Sequence, residues 1–537
     1  MAAEGTNRKV IYHYAYARSP DQDAGKPAQR PVVVVGAGPV GLTVALDLAQ
    51  HGVAVVILDD SDRIGEGSRG ICYAKRTLEI WDRLGVGEAL AARGVTWKLG
   101  KNYHGDNLVY SFDLLPEEGH KMPAFINMQQ YEVEKALVDA VLQDKRIDLR
   151  WRNRVTALTP GNDGARLTIE TPDGPYEIDA EWVLAADGAR STLRDLLGLT
   201  FQGVTFEDKF LIADVHMQAD FPTERRFWFE PPFHSGQSAL MHRQPDNVWR
   251  IDLQLGPEAD VAEEQKEERV RPRLERALGG RPFELEWVSI YQFNCRRLER
   301  FVHGRVIFLG DSAHQVSPFG ARGCNSGVQD AENLAWKLAA ILSGEGAPGL
   351  IETYNLERCQ AADENIGHST RSTDFIAPHS PAERRLRDAV LDLASRAMFA
   401  QRMVNSGRLS TPSVYDTPLS TPDEGPFGGS ACLGGPIPDA PMQRRDGVAT
   451  HLLDDLGGPF DLIYVANGGT PAVPAGVRLW RIGEDAIDTS GLFAQRFDAS
   501  PGATYLLRPD QHLCARWRAF DVAKVSAARK RALGYSA

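Results

Sequence analysis

Between the apolar run PVVVV and the stretch LTVALDLAQHG the chain reads GAGPVG, at residues 36–41. Glycines at 36, 38 and 41 allow a tight turn, close approach of a pyrophosphate to the backbone, and close packing of a following helix opened by Pro39. Asp59 closes the next apolar run, VAVVILDD, near the position about 20 residues on where a carboxylate accepts hydrogen bonds from a ribose. Two later runs also end on carboxylates: WVLAADGARS brings Asp187 and Gly188, and GRVIFLGDSAH brings Gly310 and Asp311. The chemistry these residues suit is the holding of a dinucleotide. Taken alone, DG would be an Asx turn capping a helix, and the glycine unit does not separate NAD from FAD.

The order of strand, tight turn, helix and strand from Pro31 implies a right-handed βαβ unit and a parallel sheet. A helix follows at RTLEIWDRLGVGEALAARG. FLIADVHMQAD, RRFWFE and NVWRIDLQL make residues 201–300 a β-rich lobe, with segments near 95–130 expected to join it. The α/β pattern resumes over 301–405, so the domain begun at 31–200 is discontinuous. There the loop SPFGARG, with Pro318, Gly320 and Gly323, leads through Cys324 into a helix expected from about Asn325 to Leu342. Its N-terminal amides suit a ring system that becomes anionic on reduction, or Asn325 simply caps it. Residues 1–30 read as an arm, 406–445 as a linker, and 446–537 as a small domain of short strands.

At 537 residues the chain holds two or three domains. The balance of 60 Lys plus Arg against 72 Asp plus Glu, net -12, and the lack of a basic stripe argue against a nucleic-acid partner. No apolar run reaches the roughly 20 residues that cross a bilayer, and residues 1–30 lack a signal-type core, so no membrane partner and a cytoplasmic location are expected. Six cysteines, at 72, 295, 324, 359, 432 and 514, form no CxxC pair. They suit reduced thiols, and no metal site is indicated.

Together, GAGPVG, the DG turn at 187 and the GD motif at 310 resemble the single-component (class A) FAD-dependent aromatic hydroxylases. The resemblance spans residues 31–342. It implies an α/β fold, with a Rossmann-like FAD-binding domain, an inserted β-sheet substrate domain and a small C-terminal α/β domain. It implies that Gly36, Gly38 and Gly41 lie on the pyrophosphate and Asp59 near the adenosine ribose, where many relatives carry Glu. Arg69 and Gln130 would lie near the FAD, Asp187 and Gly188 would serve both FAD and the nicotinamide coenzyme, and Asp311 the ribityl region. Pro318 to Asn325 would wrap the ring. Relatives commonly have GQG where this chain has Ala321-Arg322-Gly323, so Arg322 would support an anionic flavin or substrate, or point to solvent. Around YLLRPDQHLCARW the C-terminal segment resembles the thioredoxin-like domain of the phenol hydroxylase branch, and without CxxC its role is structural or an oligomer contact.

The implied reaction is hydroxylation of a phenolic or related small aromatic substrate by NADH or NADPH and O2, through a flavin hydroperoxide. Candidate substrate contacts are Tyr73, Tyr103, His104, His234, His242, Arg243 and Arg250, with Phe227, Trp228, Phe229 and Trp249 as aromatic walls. No catalytic base transfers from the family. An epoxidase, a Baeyer-Villiger type oxygenase or a non-catalytic FAD-binding or ligand-binding protein remain alternatives, and the WxWxIP signature of a flavin halogenase is absent. Coenzyme choice and a homodimer stay open.

Overall fold

The computed structural model describes residues 11–64, 70–404 and 409–536. Its centre is an eight-stranded sheet in which Ile147–Arg150, Val55–Leu58, Ala28–Val35, Tyr176–Ala185 and Val306–Phe308 run parallel, in that order. Strands covered by helices on both faces must be apolar on both. That is why PVVVV shows no alternation, and why Val32, Val33 and Val34 are all fully buried. Helix Pro39–Gln50, with proline in its first turn, packs closely on helix Gly323–Leu342. A side chain at Gly327 would meet Val40 at 2.6 Å, so glycine is what permits the approach.

The first strand of the central sheet in chain order begins at Ala28, inside the expected arm. The described part of the arm is also fixed to the body. Tyr12–His13 pairs with Arg63–Ile64, Tyr14 stacks on Trp151 at 4.7 Å, and Asp21 is held by Arg30 and Arg150.

A second eight-stranded sheet runs from His314–Gln315 through Glu284–Arg297, Gln202–His216, Val248–Leu255, Ser238–Arg243, Arg225–Phe229 and Leu99–His104 to Asn107–Asp113. Of the segments near 95–130 only residues 99–113 join this sheet; Val95–Trp97 and Phe125–Asn127 form instead a separate three-stranded sheet with Cys72–Ala74. The charged stretch within the lobe formed by 201–300 folds as helices Val261–Glu264 and Glu267–Ala277. Side chains alternate across a strand, which gives the second eight-stranded sheet two apolar faces. One, with Leu211, Trp249, Ile251 and Leu253, is sealed by Val270 and Leu274 of the second of these helices. The other, with Phe210, Phe227, Phe229, Leu240 and Phe293, receives Phe319 from the loop before Gly323.

The third layer is a seven-stranded sheet with helices Leu492–Phe497 and Val522–Ala532. Pro441–Arg444 is one of its strands and Ile437 and Ala440 lie in its core, so the linker expected over 406–445 ends earlier. The layer docks through buried charges. Arg508 donates to Glu357 at 2.7 Å, Lys337 reaches the same carboxylate at 2.8 Å, and Trp336 donates to Asp510 at 3.0 Å. Arg76 bridges Glu332 and the Asp510 carbonyl at 2.7 and 2.9 Å. Removing one member of such a network leaves its partners charged and uncompensated, at a cost of about 3–5 kcal/mol. Glu357→Ala should therefore lower the unfolding free energy by about that much, measured by chemical denaturation.

Candidate active site

Backbone register sets the geometry. Leu58, Val35, Ala185 and Phe308 stand level on adjacent parallel strands, so Asp59, Gly36, Asp187 and Gly310-Asp311 all emerge at one carboxyl edge. Ligands of open α/β sheets bind at that edge.

Gly36 has φ +107°, and a side chain there would lie 2.4 Å from the Ala186 carbonyl oxygen. One at Gly41 would lie 2.0 Å from the Gly36 carbonyl oxygen, whereas one at Gly38 would meet nothing within 4 Å. The loop is thus closed on its protein side and open at Gly38. Asp59 accepts from the amides of Ala37 at 2.6 Å and Ser61 at 2.9 Å; burial still pushes its carboxyl up to about 6. Asp187 accepts from the Leu193 amide at 3.0 Å through Oδ2, while its Oδ1 is buried without a hydrogen-bond partner. Asp311 is exposed at the same edge. An open glycine cradle, an unsatisfied buried carboxylate oxygen and an exposed carboxylate together fit the phosphates and hydroxyls of a dinucleotide.

The loop Pro318–Arg322 leads into the helix, which starts at Gly323 and not at Asn325. Asn325 caps nothing. Its side chain accepts from the Ala74 amide at 2.9 Å and donates to the Cys72 carbonyl at 3.0 Å, fastening the loop to the short strand Cys72–Ala74. Arg322 is 5% exposed and donates to Asn365, so it does not point to solvent. Gln130 accepts from the Gly70 amide at 2.8 Å and donates to Glu134 at 2.7 Å. Arg69 lies outside the described residues. Burial, reinforced by the Asp311 carboxylate, pushes the Cys324 thiol up to about 12, which removes it as a nucleophile.

Sequence reasoning missed the residues that brace the edge. Asp330, fully buried, accepts from the Gly310 amide at 2.9 Å, pairs with His314 at 2.7 Å and receives Arg358 at 2.5 Å. Burial resists its ionisation, but His314 and Arg358 prevail and hold the carboxyl below the usual range. The signal available was a run of charges, Asp330, Glu332 and Lys337, inside a helix whose neighbours are apolar.

Of the substrate candidates, His242 and Arg250 lie on the sheet face away from the covering helix, whereas Tyr73 belongs to the core of the first domain, with its ring 5.3 Å from that of Trp81. Tyr73 is fully buried, and His242 sits 3.3 Å from the Asn127 amide nitrogen. Arg250 is already clamped by Asp214, with both contacts at 2.8 Å. Tyr103, His234 and Arg243 fall on or beside the helix-covered face instead, away from the loop. Tyr103 stacks on Trp228 at 5.3 Å, Arg243 lies over Trp249, and His234 contacts the Gln254 carbonyl beneath helix Glu267–Ala277. Trp228 and Trp249 share that face; Phe227 and Phe229 do not. His104 closes the edge hairpin with Asn107. A cavity of about 610 Å³ opens elsewhere, at the seam with the third layer, where its cations are paired: Lys121 with Asp82 and Asp454, Arg444 with Asp455, Arg83 with Asp47, Arg478 with Asp461.

The fold and this edge define a dinucleotide-binding α/β protein whose carboxyl edge lies beside a second, phenylalanine-rich sheet. A family model described as the FAD binding domain matches residues 29–369. Para-nitrophenol 4-monooxygenase of Pseudomonas sp. (strain WBC-3) is 28% identical over 407 residues, covering 72% of this chain and 98% of that one. The 12-dehydrotetracycline 5-monooxygenase/anhydrotetracycline 6-monooxygenase of Streptomyces rimosus is 28% identical over 506 residues, covering 90% and 94%. In fold, the crystal structure of the flavin-dependent monooxygenase PieE, in complex with FAD and substrate, superposes with a TM-score of 0.80 at 22% identity, covering 95% of this chain and 100% of the other. The chain belongs to the FAD binding domain family and is an FAD-dependent monooxygenase.

The two glycines separate by stability. Gly41→Ala should lower the melting temperature of the cofactor-free protein markedly, because backbone must move. Gly38→Ala should leave it within a few degrees, a contrast that differential scanning calorimetry reads.

Proposed function

We propose that the chain hydroxylates a small phenolic or related aromatic compound at the expense of NADH or NADPH and O2. The observation that carries this reading is the level alignment of four motif-bearing strand ends facing a phenylalanine-rich sheet. The Gly36–Gly41 loop and the amides of the helix that Pro39 opens would hold the FAD pyrophosphate. Asp59 would take the adenosine ribose, Asp187, Gly188 and Asp311 the linking phosphates and ribityl chain, and Gln130 with Pro318–Asn325 the ring. What FAD supplies when bound is hydride acceptance from the nicotinamide coenzyme and activation of oxygen.

The chain's own part is enclosure and polarity. Phe210, Phe227, Phe229, Phe293 and Phe319 exclude water beside the loop. Burial, then Arg225 and Arg250, hold the His242 imidazolium far below its usual range, so at neutral pH its ring accepts as well as donates hydrogen bonds. We read the third layer as a thioredoxin-like domain with a structural role, since all six cysteines are free thiols, and we place the protein in the reducing cytoplasm. No helix among the described residues is long and apolar enough to cross a membrane.

Two measurements test this. Purified yellow protein in air should consume NADH or NADPH faster when a matching phenol is added, with hydrogen peroxide accounting for little of the coenzyme. Stimulation by no phenol, or peroxide equal to the coenzyme consumed, would sink the hydroxylase reading. The second concerns Asp59. Ribose hydroxyls donating to its carboxylate favour the ionised form, so FAD binding lowers a carboxyl that stands at about 6 and releases its proton. FAD affinity should therefore rise as pH increases to about 6 and level off above it, a slope that Asp59→Asn removes, read by fluorescence titration.

A further inference from the structure

The sheet face turned toward the loop carries two opposite charges that satisfy neither each other nor anything else described. Arg225 is 9% exposed and makes no ion pair or hydrogen bond with a described residue; the ring of Phe227 lies 5.8 Å from its guanidinium. Asp252, two strands away across Leu240, has its Oδ1 buried without a partner. Close by, the Asn102 amide nitrogen and the Tyr110 hydroxyl, opposite each other on neighbouring strands, are likewise buried without a hydrogen bond of sound geometry.

These groups share the face that receives the loop carrying Phe319. Cys72 lies within reach of the charges of Arg225 and Asp252, and the Cys72 carbonyl accepts from Asn325 at the start of helix Gly323–Leu342. Cys72 and Asp252 both lie deep in the molecule yet keep part of their surface reachable, as a group meeting a ligand must. The other charges on the face are committed: Arg250 is clamped on both oxygens of Asp214, and Gln244 donates to the same carboxylate at 3.1 Å.

A buried guanidinium without a counter-ion is strongly unfavourable, and so is a buried carboxylate without a donor. Here the sheet holds the two apart, with no nitrogen–oxygen approach inside ion-pair distance. A ligand between them can relieve both. Arg225 asks for an anion or strong acceptor and Asp252 for a donor, while Phe227 and Leu240 offer apolar walls suited to a planar ring. We propose that Arg225 and Asp252 form a two-point recognition site for a hydroxyaromatic substrate bearing an anionic substituent, the anion on Arg225 and the hydroxyl donating to Asp252. This rests on the aromatic-monooxygenase reading above. Burial, against the pull of Arg250, pushes the Asp252 carboxyl up to about 7, which keeps a substantial acceptor population near neutral pH.

The test uses the FAD-loaded full chain and reads ligand binding from the perturbation of the flavin absorbance, with kcat and KM measured alongside. Hydroxybenzoates and hydroxyphenylacetates are compared with their carboxamides, and with methoxy analogues that cannot donate. The acids should bind about tenfold or more tightly than the amides. Arg225→Met should erase that preference with unchanged flavin content, Arg225→Lys should restore part of it, and Asp252→Asn should erase discrimination against the methoxy compounds. Because Arg225 has no structural partner, Arg225→Met should leave the melting temperature unchanged or raise it.

A fall in melting temperature would show the arginine to be a structural counter-charge and overturn the proposal. So would acids and amides binding equally to the unmutated protein. If neutral phenols bind and turn over while the acids do not, the recognition site fails and the hydroxylase reading stands. If no aromatic compound perturbs the flavin, both fail.

Discussion

Asp330 is enclosed on every side and accepts from the Gly310 amide, His314 and Arg358. Its carboxylate fixes the turn that carries Asp311 and ties it to the helix beginning at Gly323, and Arg358 ties that helix to its neighbour Leu350–Ile376. A charge this deep is tolerable only when fully paired. The GD turn, the helix start and the long helix therefore hold one arrangement among them, and the position of the carboxyl edge depends on it.

The same arginine carries the constraint outward. Arg358 donates to the Tyr415 hydroxyl at 2.7 Å, Tyr415 stacks on His512, and His512 neighbours Asp510, which Arg508 links to Glu357 and Lys337. The third layer is thus no appendage. It closes a buried ionic circuit whose other end holds the turn beside the cofactor edge, and no dithiol chemistry is needed to explain its presence.

The edge on which the motifs gather was legible because its requirements are written in single residue types: glycine where a side chain would strike backbone, carboxylates where apolar strands end. The substrate half was not. Alternation along RRFWFE and NVWRIDLQL says that the strands have two faces, but which face meets the loop is decided by the helices at 261–277, a tertiary choice that period two cannot express. Hence Tyr103 and Arg243 read as well as His242 and Arg250. Asp330, Glu332 and Lys337 were read past for a related reason. A charged residue on a helix suggests a wet face, and only the packing of three further helices around Gly323–Leu342 reveals that it has none.

Strand Tyr176–Ala185 and strand Val306–Phe308 are hydrogen-bonded neighbours, although most of the second sheet lies between them in the chain. The polypeptide leaves the nucleotide-binding body and re-enters it at adjacent points, so the body closes without reference to what the excursion contains. The strands Leu99–His104 and Asn107–Asp113, which precede the excursion in the chain, complete the second sheet at its far edge. On re-entry, His314–Gln315 pairs against Arg296–Arg297, so the returning chain is stitched to the last strand of the lobe before it reaches the loop Pro318–Arg322, and lobe and body meet through a backbone ladder as well as through side chains.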